Sequence, residues 1–147
     1  ILKPMLIEKN FKLCIITSVE EYDDEIKIQI RSNFSNKYIY LEGFKNAEFF
    51  CGDASLAAEK LAQQGIKADC IIIDPPRKGC DSTLINTISE KFSPPRVIYI
   101  SCDPATLARD LKIFNELGYS AFKVIPVDLF PRTGHVESVC LLTKVQK

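Results

Sequence analysis

Residues 68–74, ADCIIID, constrain this chain most. The unbroken Cys-Ile-Ile-Ile run is typical of a parallel strand buried on both faces. Residues 95–101 (PRVIYIS) form a second such run, and the segments around the two have helical signatures. Residues 53–65 (DASLAAEKLAQQG) predict a helix that Asp53 can cap and Gly65 can end. Residues 81–92 (DSTLINTISEKF) predict a second helix. Residues 103–118 (DPATLARDLKIFNELG) predict a third, with Pro104 near its first turn and Gly118 past its end. A short strand is expected over residues 47–52 (AEFFCG), and two closing strands over 119–130 and 137–145. The connection between the closing strands is short, so they should pair antiparallel. Strand and helix alternating in this way imply an α/β domain with a mainly parallel sheet.

The length, 147 residues, suits one domain with a real core. Nineteen basic and nineteen acidic residues cancel, so net charge alone does not point to nucleic acid. No apolar run reaches the roughly 18–20 residues that span a bilayer, and the start (ILKPMLIEKNFK) is charged too early for a signal peptide. The chain does not begin with Met, and we read it as a processed or excised piece. Six cysteines contain no CxxC pair, so zinc spacing is absent. Cys51, Cys70 and Cys140 lie in apolar, strand-like runs, where cysteine acts as a small hydrophobe. A reducing, cytoplasmic protein is expected.

In a sheet of this kind, ligands sit beyond the carboxyl ends of the strands. Three polar segments fall there: Gly52-Asp53, Asp74-Pro75-Pro76-Arg77 and Ser101-Cys102-Asp103. Cys102 precedes a helix, whose free N–H groups and dipole favour thiolate, while Asp103 opposes it; a packed core thiol is the alternative. Asp74 and Arg77 sit in a loop stiffened by two prolines, able to present hydrogen-bonding groups to a planar base or simply to punctuate a helix entry. Glu137 opens an apolar strand, either as a proton acceptor with a raised pKa or as a solvent-facing carboxylate. His135, the single histidine, suggests a structural turn residue. Asp53 is a helix cap or a ligand contact. There is no G-x-G-x-x-G loop.

Taken in order and spacing, DPPRKG, YISCDPATLARDL and DLFPRTGHVESVCLL resemble the C-terminal half of the RNA 5-methyluridine methyltransferases. KNAEFFCGDA (45–54) is similar to the family's segment at the third strand of its cofactor fold. The resemblance covers about residues 45–147. It implies a Rossmann-like class I methyltransferase fold, S-adenosylmethionine as cofactor and RNA (tRNA or 23S rRNA) as partner. By motif it makes Cys102 the nucleophile at uracil C6 and Glu137 the base at C5. It places Asp74 at the junction of cofactor and target base, and Asp53 at the adenosine. Asp103 stands where the family often has Asn.

The chain also departs from the family pattern. The expected glycine-rich cofactor turn has no counterpart in residues 1–45, whose one glycine is Gly43, and the family's RNA-binding and iron–sulfur regions have none either. Residues 1–45 are therefore read as a divergent or truncated N-terminal part, and 46–147 as the catalytic part. The expectation is a uracil-C5 methyltransferase fragment with weak or no activity alone. Its rivals are a non-catalytic RNA-binding or docking module that keeps the fold, and a methyltransferase of the same fold with another substrate.

Overall fold

A computed structural model describes residues 53–129 and 131–145, together with the backbone of 13–17. The elements run β1 (Leu13–Thr17), α1 (Ala54–Gln63), β2 (Cys70–Asp74), α2 (Ser82–Asn86, continuing as π-helical turns over Thr87–Phe92), β3 (Arg96–Ser101), α3 (Pro104–Glu116), β4 (Tyr119–Val127) and β5 (Glu137–Lys144). They build a five-stranded sheet in the order β1-β2-β3-β5-β4. β1, β2 and β3 are parallel. β5 lies antiparallel between β3 and β4. The α/β class and the antiparallel closing hairpin expected from the sequence are both present. The strand expected at 47–52 lies outside the described residues, as do residues 18–52 generally.

The core lies on one face of the sheet. Strand register aligns Ile71 with Val97 and Leu142, and Ile73 with Tyr99 and Cys140. All six are buried, and they meet Ala58 of α1, Leu84, Ile85, Ile88 and Phe92 of α2, and Leu107 and Phe114 of α3. The opposite face carries Ile72, Ile98, Ile100, Val139 and Leu141, all half-buried. Among the described residues, the three helices join the core of one face only.

Two local departures have physical causes. The helix expected over 81–92 widens into π turns that close with Ser93 N–H donating to Ile88 C=O at 2.8 Å. Pro94 disfavours the right-handed helical region at the residue before it, and Ser93 adopts φ 51° and ψ 47°. β4 ends at Val127 rather than 130, with a register shift between Ala121 and Lys123. Pro126 is tolerated because β4 is the last strand of the described sheet and needs no outer donor there.

Helix α3 buries Leu107, Asp110 and Phe114, one stripe at i, i+3 and i+7 spacing. Phe114 is fully enclosed and meets Tyr119 edge-on, with ring centroids 5.9 Å apart. Replacing Phe114 by Ala should cost about 3–5 kcal/mol of stability through lost burial and the cavity left behind. Urea unfolding followed by circular dichroism checks this. A loss within experimental error would show that α3 does not anchor the core.

Candidate active site

Parallel strands end together, and an antiparallel neighbour begins where they end. Thr17 pairs with Asp74, Ile73 with Tyr99, and Ser101 with Ser138. One step beyond the last β3–β5 pair come Cys102, after β3, and Glu137, the first residue of β5, at the same edge of the sheet. Asp74 closes β2 at the same end of the sheet. The register alone brings these three sequence candidates to one edge.

The loops at this edge are fixed by short hydrogen bonds. Around Cys102, the Asp103 N–H donates to Ser101 Oγ (3.1 Å), and the Ser101 hydroxyl donates to the Asp103 carbonyl (2.9 Å). This brace makes Cys102 the tip of a tight turn. Asp103 then caps α3, its Oδ1 accepting from Ala105 N–H and Thr106 N–H, each at 2.9 Å. The helix donors offered to the thiol by the sequence reading are thus taken by the Asp103 carboxylate. Those N–H groups, that of Thr106 foremost, hold the Asp103 carboxyl below its ordinary range, and the charge of Arg77 adds to the effect.

Cys102 differs from the other described thiols. Cys70, Cys80 and Cys140 are buried, whereas Cys102 is partly exposed. Burial pushes all three buried thiols up, Cys80 to about 12. Cys102 is therefore the accessible thiol among the described residues, as a nucleophile requires.

Glu137 is half-buried, and burial, then the negative charge of Asp74, raise its pKa. Arg77 and His135 pull it back down. Arg77 Nη2 donates to the His135 ring, 3.2 Å from Nε2, although both side chains are exposed. This bond ties the β2–α2 loop to the β4–β5 loop. His135 has more than the turn role expected for it: it is the far end of this link.

Asp53 caps α1, its Oδ1 accepting from Ser55 N–H and Leu56 N–H at 3.0 Å each. Ser55 Oγ donates to Asp81 Oδ2 at 2.5 Å, and Asp81 caps α2 through Leu84 N–H. The N-termini of α1 and α2 thus lie side by side. Asp53 belongs to this neighbouring cluster, and no contact joins it to Cys102 or Glu137 among the described residues.

The sequence reading missed Asp110. It is fully enclosed, and its Oδ2 accepts from Cys80 N–H (2.8 Å) and Tyr99 Oη (2.6 Å). The available signal was a carboxylate in the apolar stripe of α3, between Leu107 and Phe114.

With this geometry established, known proteins give it a family. Residues 55–145 match the tRNA (Uracil-5-)-methyltransferase family, which is more than half of the chain. The chain belongs to the tRNA (uracil-5-)-methyltransferase family. An uncharacterized RNA methyltransferase of Bacillus cereus is 51% identical over 107 residues, covering 73% of this chain and 23% of that protein. One from Clostridium tetani is 40% identical over 138 residues, covering 94% of this chain and 28% of that protein. The chain thus spans less than a third of the length of these relatives. Among solved structures, the Pyrococcus abyssi tRNA (uracil-54, C5)-methyltransferase in complex with S-adenosyl-L-homocysteine is 37% identical, at TM-score 0.48, over 52% of this chain and 18% of that one. The M1.HpyAVI–SAM complex shares the fold at TM-score 0.54 and 20% identity, over 66% of this chain and 53% of that one. The fold is that of the class I methyltransferases, as the sequence implied. S-adenosylmethionine, the cofactor expected of the family, or its demethylated product is present in both solved structures.

The balance at Glu137 is testable by carboxyl NMR titration of this family member. Asp74→Asn removes a negative neighbour, so the Glu137 midpoint should fall. Arg77→Met removes a positive one, so the midpoint should rise. Midpoints unchanged in both variants would show that the three groups do not share a field.

Proposed function

We propose that the chain is the nucleophile-and-base part of an S-adenosylmethionine-dependent RNA uracil-C5 methyltransferase. One observation supports the reading most: the β3–β5 ladder ends on the Ser101–Ser138 pair, so Cys102, a partly exposed thiol, and Glu137, whose carboxylate has a raised proton affinity, come at the same edge of the sheet. Uracil C5 is a poor nucleophile. Addition of the Cys102 thiolate at C6 makes an enolate, and C5 becomes reactive. When bound, S-adenosylmethionine would supply the methyl group by breaking its sulfonium S–CH3 bond, leaving as S-adenosylhomocysteine. Glu137 takes the proton from C5, and Cys102 departs by elimination, which restores the ring. Burial raises the proton affinity of Glu137, and the charge of Arg77 opposes that rise.

The residues present fit the cofactor in part. Among the described residues, both hydrogen bonds to Asp53 fall on Oδ1, and the exposed side chain keeps acceptor capacity that suits an adenosine donor. Asp74, half-buried at the strand end, would stand between cofactor and target base. The substrate is a uridine in tRNA or 23S rRNA, which must leave its stack to reach Cys102. A reducing, cytoplasmic setting suits a catalytic thiol. Residues 1–45 lack a glycine-rich turn for close backbone approach to the cofactor, so we propose weak or no turnover by these 147 residues alone.

Incubation with S-adenosylmethionine and RNA carrying 5-fluorouridine should give a denaturation-stable RNA adduct on the wild-type chain and none on Cys102→Ala. RNA affinity without any adduct would favour a docking module instead. Robust turnover of labelled cofactor on uridine-containing RNA would overturn the expectation of weak activity, and methylation of cytidine in its place would overturn the uracil assignment.

A further inference from the structure

The segment Pro75–Cys80 is held mainly through its backbone. Cys80 N–H donates to Asp110 Oδ2 at 2.8 Å, and Arg109 Nη2 donates to the Lys78 carbonyl at 2.8 Å. Arg109 Nε in turn donates to Asp110 Oδ1 at 2.9 Å, so the guanidinium and carboxylate form one unit on α3. Gly79, at φ +78°, lies so close that a Cβ there would stand 2.5 Å from Asp110 Oδ2 and 2.6 Å from Arg109 Nη2. The same Oδ2 accepts from Tyr99 Oη at 2.6 Å. Tyr99 sits on β3, three residues before Cys102. One buried carboxylate therefore joins the loop that follows Asp74 and carries Arg77, the strand that precedes Cys102, and the helix that Asp103 caps.

We infer that Asp110 is a positioning residue: it sets the β2–α2 loop against β3 and α3 so that Arg77 reaches His135 across the site. Burying a carboxylate is costly, and an apolar side chain in the α3 stripe would pack against the core at less expense. The partners of Asp110 explain its presence, because they are the backbone of the loop and the strand beneath it. An apolar residue could fill the space but could not fix a backbone N–H. The catalytic consequence rests on the methyltransferase reading; the positional one does not.

The chain has a single histidine, so its ring signals in NMR belong to His135 without ambiguity. The full chain is compared with Asp110→Asn and with Tyr99→Phe, which keeps the buried ring and removes only the hydroxyl donor. Retained dispersion of the core methyls of Ile71, Ile73 and Val97 identifies folded protein. In folded variants the Arg77–His135 cross-peak should be lost and the His135 ring shifts should move. The Glu137 carboxyl midpoint should rise as Arg77 withdraws, because Asp74 stays fixed by its strand. If Asp110→Asn does not fold, Tyr99→Phe decides alone. A folded variant with a lower melting temperature, an intact cross-peak and an unmoved midpoint overturns the inference and leaves Asp110 a stabilising residue only. No RNA or cofactor enters this measurement, so failure of the adduct experiment and failure of this one are separate results.

Discussion

The antiparallel seam between β3 and β5 is the constraint on which the site depends. In a fully parallel sheet, every strand leaves at the same end and every strand start lies at the other. Inserting β5 in reverse beside β3 brings a strand start, Glu137, to the edge where β3 delivers Cys102. Register is enforced by the core, because Cys140 and Leu142 of β5 must face the helices with Tyr99 and Val97. A slip of one residue would turn those side chains to the opposite face. The packing that stabilises the sheet thus also fixes which residue of β5 comes to the edge where β3 ends.

The charges at this edge are arranged as a balance rather than as isolated pairs. Asp74 raises the proton affinity of Glu137, while Arg77 and His135 reduce it. Arg77 also lowers Asp103, which is already occupied by helix N–H groups. The carboxylate of Asp103 is thus stabilised by the donors of α3 and by the charge of Arg77.

Much of this was legible in the sequence because it follows from local pattern. Cys-Ile-Ile-Ile before Asp74 marked a strand end, and Pro104 and Gly118 bracketed the helix after Cys102. The resemblance of DPPR, SCDP and HVES to a known family singled out Asp74, Cys102 and Glu137 as one group. What sequence could not show was non-local. The Arg77–His135 bond joins residues far apart in the chain, and nothing at either position announces the other. Asp110 within LARDL carried no reading of its own. Its burial became visible only when the β2–α2 loop was seen to lean on it. The π turns of α2 escaped notice for a related reason: Ser93 and Pro94 end the helix by a backbone conformation, while the apolar pattern of Ile85, Ile88 and Phe92 is compatible with either winding.

The scaffold beneath the site divides its work between two kinds of interaction. Apolar packing of Ile71, Tyr99, Cys140 and Phe114 holds the sheet and α3 together, but such contacts have little direction and cannot orient a loop. Orientation comes from buried hydrogen bonds with fixed geometry: the Asp110 carboxylate on the Cys80 N–H, and the Arg109 guanidinium on the Lys78 carbonyl. Gly79 permits this approach because it has neither a Cβ to clash nor a penalty for its positive φ. The three parts are mutually dependent. A side chain at 79 would displace the carboxylate, and without the carboxylate Cys80 N–H would be buried and unpaired, at a cost of about 1–3 kcal/mol. The glycine in DPPRKG is thereby explained by α3 rather than by the turn that contains it.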